Sequence, residues 1–117
     1  MILRVNFGEI WLVDFNPQKG TKPGKIMPAI IFQNQALLDV LHPSTIVIPL
    51  TSRLIDDIEP LKIRVKACDL LKKDSDVLVD QICSIDNKNL IQGPLTKCDK
   101  AFMDKVYDAV MQVMGRL

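Results

Sequence analysis

Two short segments carry the side chains best suited to contact a phosphate group. The first spans residues 19–25, where Lys19, Lys22 and Lys25 stand among glycine and proline residues with no acidic side chain. A basic loop that leaves a strand can contact a phosphate backbone, because ammonium groups pair with phosphate oxygens. A solvated surface loop has the same composition, so both interpretations stay open for this segment alone.

The second segment is Thr51-Ser52-Arg53, which follows the apolar, β-branched stretch from Thr45 to Leu50. Two hydroxyls and a guanidinium at one strand end suit phosphate oxygens, since hydroxyls donate hydrogen bonds and arginine pairs bidentately. A Thr/Ser turn followed by a surface arginine is the alternative.

Other kinds of site find little support in the sequence. His42 is the only histidine, and a loop or capping role fits it better than a catalytic triad. The acidic stretch Asp56, Asp57 and Glu59 matches no calcium loop and is expected to be solvated. No Walker A, GxGxxG or HExxH pattern occurs, so neither a metal nor a cofactor is expected.

The cysteines are Cys68, Cys83 and Cys98, an odd number without a CxxC pair. This pattern argues against a disulfide framework and against a zinc site. It favours a reducing, cytoplasmic compartment. No stretch reaches the roughly 20 apolar residues of a membrane helix, so no membrane association is expected.

The composition indicates one globular domain. Of the 117 residues, 48% are hydrophobic and 25% are charged, which is unlike a disordered chain. The net charge of +1 excludes binding to nucleic acid through overall basicity. The charge is unevenly distributed, since residues 19–25 carry a net charge of +3 and the rest of the chain therefore carries −2.

Alternating and β-branched runs predict that most of the chain forms strands. The predicted strands are Glu9 to Phe15 (covered on both faces), Ala29 to Phe32, Thr45 to Leu50, Leu61 to Lys66, and Val77 to Val79 with Gln81 to Ile85 as one strand or a bent pair. Loops or turns are predicted for Thr21 to Met27, Arg53 to Pro60, Asp69 to Asp76 and Gly93-Pro94, and Pro49 indicates an edge strand or a bulge.

Two helices complete the prediction. The first spans Asn34 to Leu41 with Asn34 as its N-cap, and the second follows Asp99 as its N-cap and has Gly115-Arg116 at its C-terminal end. Its apolar residues recur at steps of three and four and form a stripe that suits packing on a sheet. Short strands followed by one amphipathic helix suggest a small closed or half-open β-barrel with an accessory helix.

Three motifs follow one another along the chain. The first comprises Gly8 to Pro17, Gly20-Thr21 and Pro28 to Asn34, the second is Val47 to Ser52, and the third is Asp80 to Asp86. In this order and spacing they resemble the MazF/PemK family of toxin–antitoxin toxins. The terminal helix also falls in register, so the resemblance covers nearly the whole chain.

The resemblance implies a mainly β (α+β) fold, an SH3-like barrel of the CcdB/MazF/PemK type with a C-terminal amphipathic helix, in a single domain over residues 1–117 that forms a homodimer. It implies a metal-independent, sequence-specific endoribonuclease that leaves 2′,3′-cyclic phosphate and 5′-hydroxyl ends. The implied partners are single-stranded RNA and a disordered antitoxin tail that occupies the RNA groove. DNA gyrase inhibition, known for the CcdB branch of the fold, is an alternative that the motifs favour less.

The resemblance also assigns residues to the site. The catalytic positions are Thr51, Ser52 beside it, and Met27, which stands where the family has an arginine. The residues assigned to RNA binding by resemblance or by charge are Lys19, Thr21, Lys22, Lys25, Arg53, Asp80 and Gln81. Cys83 stands in place of the arginine of the third motif.

Met27 leaves the level of activity open, because methionine cannot donate a hydrogen bond to a phosphorane. Loss of one transition-state donor typically costs a factor of about 10²–10³. Met27 is consistent with an inactivating change, with an inactive homologue that binds antitoxin or RNA, or with a site rebuilt from Lys22, Lys25 and Arg53.

Overall fold

The computed structural model describes residues 4–15 and 25–116. Within these residues the chain forms seven strands and two helices, in the order β1 (Glu9–Asp14), β2 (Ile26–Ile31), α1 (Gln35–Asp39), β3 (Ser44–Thr51), β4 (Lys62–Val65), β5 (Ser75–Leu78), β6 (Cys83–Asp86), β7 (Leu90–Lys97) and α2 (Lys100–Val113). Three residues assigned to RNA binding from the sequence, Lys19, Thr21 and Lys22, lie outside the described residues.

The strands form one antiparallel sheet in the order β4-β5-β3-β2-β1-β7, and β6 pairs with β3 beside this path. Strand β3 changes partner along its length, since residues 44–47 pair with β6 whereas Leu50 and Thr51 pair with β5. The amide of Leu70, in the β4–β5 loop, donates to the carbonyl of Leu95 in β7 at 2.9 Å. This bond links the two ends of the strand order, so the sheet curls into the half-open barrel expected from the sequence.

Strand β1 is covered on both faces, as its alternation predicts. Ile10 joins the cluster of buried side chains beneath α2, whereas Trp11 and Val13 join a second cluster on the opposite face. All three are almost fully buried. The strand is therefore fixed in register from both sides, and it holds its neighbour β2 in place.

The helices begin where the sequence predicts. The Asn34 side chain accepts a hydrogen bond from the amide of Ala36, and the Asp99 side chain accepts one from the amide of Phe102, each at 2.8 Å. Helix α2 buries Met103, Val106 and Val110 against the sheet, which confirms the predicted role of its apolar stripe. Neither helix in the described part of the chain has the length and apolar character needed to cross a membrane.

One prediction for β2 is wrong, and one of the two alternatives predicted for Pro49 is excluded. Ile26 and Met27 belong to β2 rather than to a loop, because β2 pairs with β1 as far as Ile26 opposite Asp14. Pro49 lies inside the sheet, opposite Ala29, and not on an edge. It stands where β3 has left β6 and has not yet reached β5, and a residue without an amide hydrogen is tolerated at such a change of partner.

Two predicted turns are also wrong. Gly93 and Pro94 lie within β7, where the pairing with β1 is irregular. A Cβ at Gly93 would lie 2.3 Å from Cδ2 of Trp11, so the glycine provides space for the indole of the neighbouring strand rather than a turn. Ser75 and Asp76 were expected in a polar turn, yet they begin β5 and are buried.

Candidate active site

A cavity of about 490 Å³ opens between the start of β2, the end of β3, strand β7 and the β4–β5 loop. It brings together four residues that the sequence assigned to the site, namely Lys25, Met27, Thr51 and Ser52. Its floor is apolar, with leucines at positions 12, 50, 71 and 95. The structure therefore brings together the two segments that the resemblance assigns to catalysis, although they are more than 20 residues apart in the chain.

Met27 and Thr51 stand on either side of this cavity. The pairing of β2 with β3 extends from Ile31 opposite Val47 to Ala29 opposite Pro49. Met27 and Thr51 lie two residues beyond the last of these pairs on their respective strands, and both line the cavity.

The Thr51 hydroxyl is oriented by the segment that follows it. Its Oγ1 accepts a hydrogen bond from the amide of Arg53 at 3.1 Å. A threonine hydroxyl has two lone pairs and one proton, so this contact uses an acceptor site and leaves the proton for another partner. Thr51 can therefore donate to an anionic oxygen that enters the cavity.

The side chain of Asp76 anchors the segment that follows Thr51 by hydrogen bonding. It stands opposite Thr51 in the β3–β5 pair, and its side chain is only 2% exposed. Its Oδ1 accepts from Nε of Arg64 at 2.6 Å, and its Oδ2 accepts from the amide of Ile55 at 2.9 Å. The second bond fixes the chain four residues beyond Thr51, so Asp76 positions the hydroxyl segment without lining the cavity.

Two opposing effects act on the Asp76 carboxyl. Burial alone raises its pKa, but the hydrogen bonds from Arg64 and Ile55 outweigh burial, so the pKa lies below its usual range. Arg64 also donates through Nη2 to Asp56 at 2.7 Å, and both carboxylates raise the pKa of the guanidinium. The result is a charged network at the end of β3, in which Asp76 is buried, Arg64 is partly exposed and Asp56 is exposed.

The cavity is positively charged. Lys25, Lys72 and Lys73 line it, and no aspartate or glutamate is among its lining residues in the described part of the chain. A cavity of about 650 Å³ elsewhere on the barrel is lined by Asp56, Asp57, Glu59 and Asp76 together with Lys62 and Arg64. That cavity is larger but would repel a polyanion, so the smaller one is the candidate site for phosphate.

Other residues assigned from the sequence lie outside the cavity. Arg53 is exposed just beyond its edge. Asp80 and Gln81 are exposed in a 3-10 turn between β5 and β6. Cys83 lies in β6, opposite Val47, and is half-buried. Their assignment to RNA binding or to the family pattern stays a prediction.

The opening motif has a structural role in this protein. The Glu9 carboxylate is buried and accepts hydrogen bonds from Nε1 of Trp11 at 3.0 Å and from the amide of Asn6 at 2.8 Å. Gly8 has a φ of +86°, which favours glycine, and its amide donates to the carbonyl of Ile31. These residues fix β1 against β2, so the motif supports the site without contributing to it.

A family model settles the relationship of this chain to known proteins. Residues 6–114 match the model of the PemK-like, MazF-like toxins of type II toxin–antitoxin systems. The chain belongs to this toxin family. The match spans both segments of the cavity and the whole barrel, including α2.

Individual members of the toxin family agree with this assignment. The chain is similar to an endoribonuclease MazF of Staphylococcus saprophyticus, with 32% identity over 109 residues that cover 92% of this chain and 89% of that one. Its fold resembles a crystal structure of MazF from Deinococcus radiodurans, with a TM-score of 0.77, 21% identity and coverage of 97% and 98%. It also resembles a mycobacterial endoribonuclease in complex with its cognate antitoxin, with a TM-score of 0.69, 20% identity and 93% coverage of each chain.

Several residues at or beside the cavity were not predicted from the sequence. Lys72 and Lys73 were assigned to a simple turn, and Asp76 to its end. Ser75 and Asp76 are both polar, so the apolar pattern of β5 begins only at Val77 and gives no sign that the strand starts earlier. Nothing local indicates that the Lys72–Lys73 turn lies beside Thr51, because that proximity depends on the pairing of β5 with β3.

Proposed function

We propose that this protein is the toxin of a toxin–antitoxin pair and a metal-independent endoribonuclease that cleaves single-stranded RNA at short sequences. The observation that carries the proposal is the cavity in which Thr51 and Ser52 stand among three lysines, with no carboxylate among its described lining residues. Membership of the toxin family and the similarity to an endoribonuclease MazF support it.

The proposed reaction is attack by the RNA 2′-hydroxyl on the adjacent phosphate. The 2′-oxygen forms a new bond to phosphorus while the bond to the 5′-oxygen breaks, which leaves a 2′,3′-cyclic phosphate and a 5′-hydroxyl. The proton of the 2′-hydroxyl goes to a base, and the departing 5′-oxygen gains a proton. The extra negative charge on the phosphorane needs hydrogen-bond donors and cations at fixed positions.

The cavity offers groups for part of this task. Thr51 can donate its hydroxyl proton to a phosphorane oxygen because the amide of Arg53 already occupies one lone pair. The lysine ammonium groups counter the developing charge, although each lacks the bidentate geometry of arginine. Met27 supplies neither a proton nor a charge, so we expect slower cleavage than with arginine at that position.

The proposal includes the partners of a toxin. An acidic antitoxin segment would compete with RNA for the same lysine-lined cavity, and a fold relative has been solved in complex with its cognate antitoxin. We further propose that the protein acts in the cytoplasm as a homodimer, since its substrate would be cellular RNA.

A second candidate is an inactive homologue that retains the cavity for binding antitoxin or RNA. Met27 is the observation that favours it, because this side chain lines the cavity and offers no hydrogen-bond donor. This candidate predicts binding without cleavage, which separates it from the first.

The test is incubation of the protein with a long single-stranded RNA in the presence of EDTA. Specific fragments with 5′-hydroxyl ends, which a polynucleotide kinase labels without prior phosphatase treatment, would support the endoribonuclease. Binding of RNA without any cleavage at micromolar protein would favour the inactive homologue. Neither binding nor cleavage would reject both candidates as RNA-directed proteins.

A further inference from the structure

The β4–β5 loop, residues 66–74, forms one wall of the cavity. Leu70, Leu71, Lys72 and Lys73 line it from this loop, and Ser75 continues the wall at the start of β5. The wall stands next to the hydroxyl segment, because β5 pairs with the end of β3 through Asp76 opposite Thr51. Lys73 is therefore only three residues from the position that lies beside Thr51.

Hydrogen bonds hold the backbone of this loop at both ends. The amide of Leu70 donates to Leu95 of β7 at 2.9 Å, and the amide of Ala67 donates to the side chain of Asp74 at 2.8 Å. The buried Ser75 hydroxyl donates to the carbonyl of Lys73 at 3.0 Å. Both lysines therefore extend from an anchored segment, which lowers the entropic cost of contacting a ligand.

The two lysines are available for an anionic ligand. Both are exposed, and no carboxylate within residues 4–15 and 25–116 forms an ion pair with either. Two other lysines, by contrast, are engaged in ion pairs, Lys100 with Asp104 at 2.9 Å and Lys105 with Glu59 at 3.0 Å. Two adjacent unpaired ammonium groups beside an apolar floor match a strand of RNA, which presents phosphates along its backbone and apolar faces on its bases.

We propose that Lys72 and Lys73 bind the phosphates of the RNA strand and make the β4–β5 loop the phosphate-binding wall of the cavity. This inference rests on the proposed function, since it names the residues that hold the same substrate. Phosphate contacts position a nucleic acid without reading its sequence. The two lysines therefore contribute affinity that is independent of base identity and decreases as salt increases.

The experiment is fluorescence polarisation with labelled single-stranded RNA at several salt concentrations. The protein is compared with the variant Lys72→Gln/Lys73→Gln and with Lys88→Gln. Lys88 is a suitable control because it is exposed, lies outside the cavity and stands 4.0 Å from Asp86. Circular dichroism melting checks that every variant is folded, which is expected because all three lysines are exposed.

We expect the double variant to bind roughly tenfold more weakly, as for two lost solvent-exposed ion pairs, and Lys88→Gln to bind unchanged. The slope of log K against log salt should decrease by about 0.7 for each lysine removed. The loss should be equal for oligonucleotides of different sequence.

Several results would overturn the inference. If the protein binds RNA and the double variant binds as Lys88→Gln does, the lysines are not contacts, and the proposed function stands. If the loss is confined to one RNA sequence, the lysines read bases rather than phosphates. If the unmodified protein binds no RNA at any salt concentration, the inference and the proposed function both fail.

Discussion

Met27 of β2 and Thr51 of β3 line the same cavity, each two residues beyond the paired positions Ala29 and Pro49. Thr51 offers a hydroxyl proton and Met27 only a thioether. The two positions therefore differ in chemistry, since the β3 residue can donate a hydrogen bond to a ligand whereas the β2 residue cannot.

Met27→Arg should raise the rate of RNA cleavage. A guanidinium at this position would stand across from Thr51 and could donate to the phosphorane, and one such donor is worth a factor of about 10²–10³. The measurement is the single-turnover cleavage rate at saturating protein. Met114→Arg adds the same charge at an exposed position of the chain end and should leave the rate unchanged. An equal rate for Met27→Arg and the unmodified protein would show that this position does not limit catalysis.

Asp76→Asn should destabilise the protein at neutral pH. Removal of the carboxylate weakens the bonds from Arg64 and from the Ile55 amide, and the bond from the amide to the charged carboxylate is worth about 1.5–3 kcal/mol. The pKa of Asp76 is lowered in the folded state, so its contribution to stability is complete above the ordinary pKa of about 4 and is lost as pH falls through the folded value.

Urea unfolding at pH 7, 5 and 3 measures this contribution. The difference between Asp76→Asn and the unmodified protein should be largest at pH 7 and 5 and should shrink as the pH falls below about 4. Asp108→Asn, on the exposed side of α2, is the control and should change stability by less than about 0.5 kcal/mol. A difference that grows towards low pH would contradict the direction of the shift.

Gly93→Ala should destabilise the barrel. Its Cβ would lie 2.3 Å from Cδ2 of the buried Trp11 ring, which is a rigid group with no space to retreat. Overpacking of this kind typically costs about 1–3 kcal/mol in the free energy of unfolding. Ile91→Val, at an exposed position of the same strand, should cost less than about 0.5 kcal/mol. If the two variants have equal free energies of unfolding in urea, β1 and β7 can move apart to accommodate the added methyl group, and the prediction is wrong.

Cys68 should react with iodoacetamide before Cys98. Cys68 is exposed. The pKa of the Cys98 thiol is raised to about 11, mainly because the thiol is buried and to a smaller extent because Cys68 and Asp99 lie nearby. The thiolate is the reacting form, so Cys98 should be nearly inert at pH 7.5 and should react faster as the pH approaches 11. Mass spectrometry of the labelled peptides measures both rates, with Cys68→Ser as the control. Rapid labelling of Cys98 at pH 7.5 would contradict the burial of this thiol.

The elements that local pattern determines were predictable from the sequence. Alternation defined β1, and side-chain caps defined the starts of both helices at Asn34 and Asp99. The pair Gly93-Pro94 shows the limit of prediction from local sequence pattern. The Gly-Pro pair is typical of a turn, but in the structure it lies in an irregular part of β7, where the Trp11 ring of β1 occupies the space beside Gly93. The residues next to Gly93 in the sequence do not indicate this contact, because Trp11 is distant along the chain.

The same limit applied to the site. Thr51, Ser52 and Met27 came from motifs, and the structure places them around one cavity together with Lys25. Lys72, Lys73 and Asp76 reach the site only because β5 pairs with β3, so their sequence neighbours gave no reason to select them. The resemblance therefore supplies the residues assigned to catalysis, whereas the strand pairing supplies the two further lysines.

The central claim is that this cavity cleaves RNA, and comparison of the unmodified protein with Thr51→Val tests it most directly. Both are incubated with single-stranded RNA in EDTA, with Ser84→Ala as the control at an exposed hydroxyl outside the cavity. We predict cleavage with 5′-hydroxyl ends by the unmodified protein and by Ser84→Ala, and a rate lower by a factor of about 10²–10³ for Thr51→Val. No cleavage by the unmodified protein, or equal cleavage by Thr51→Val, would contradict the account.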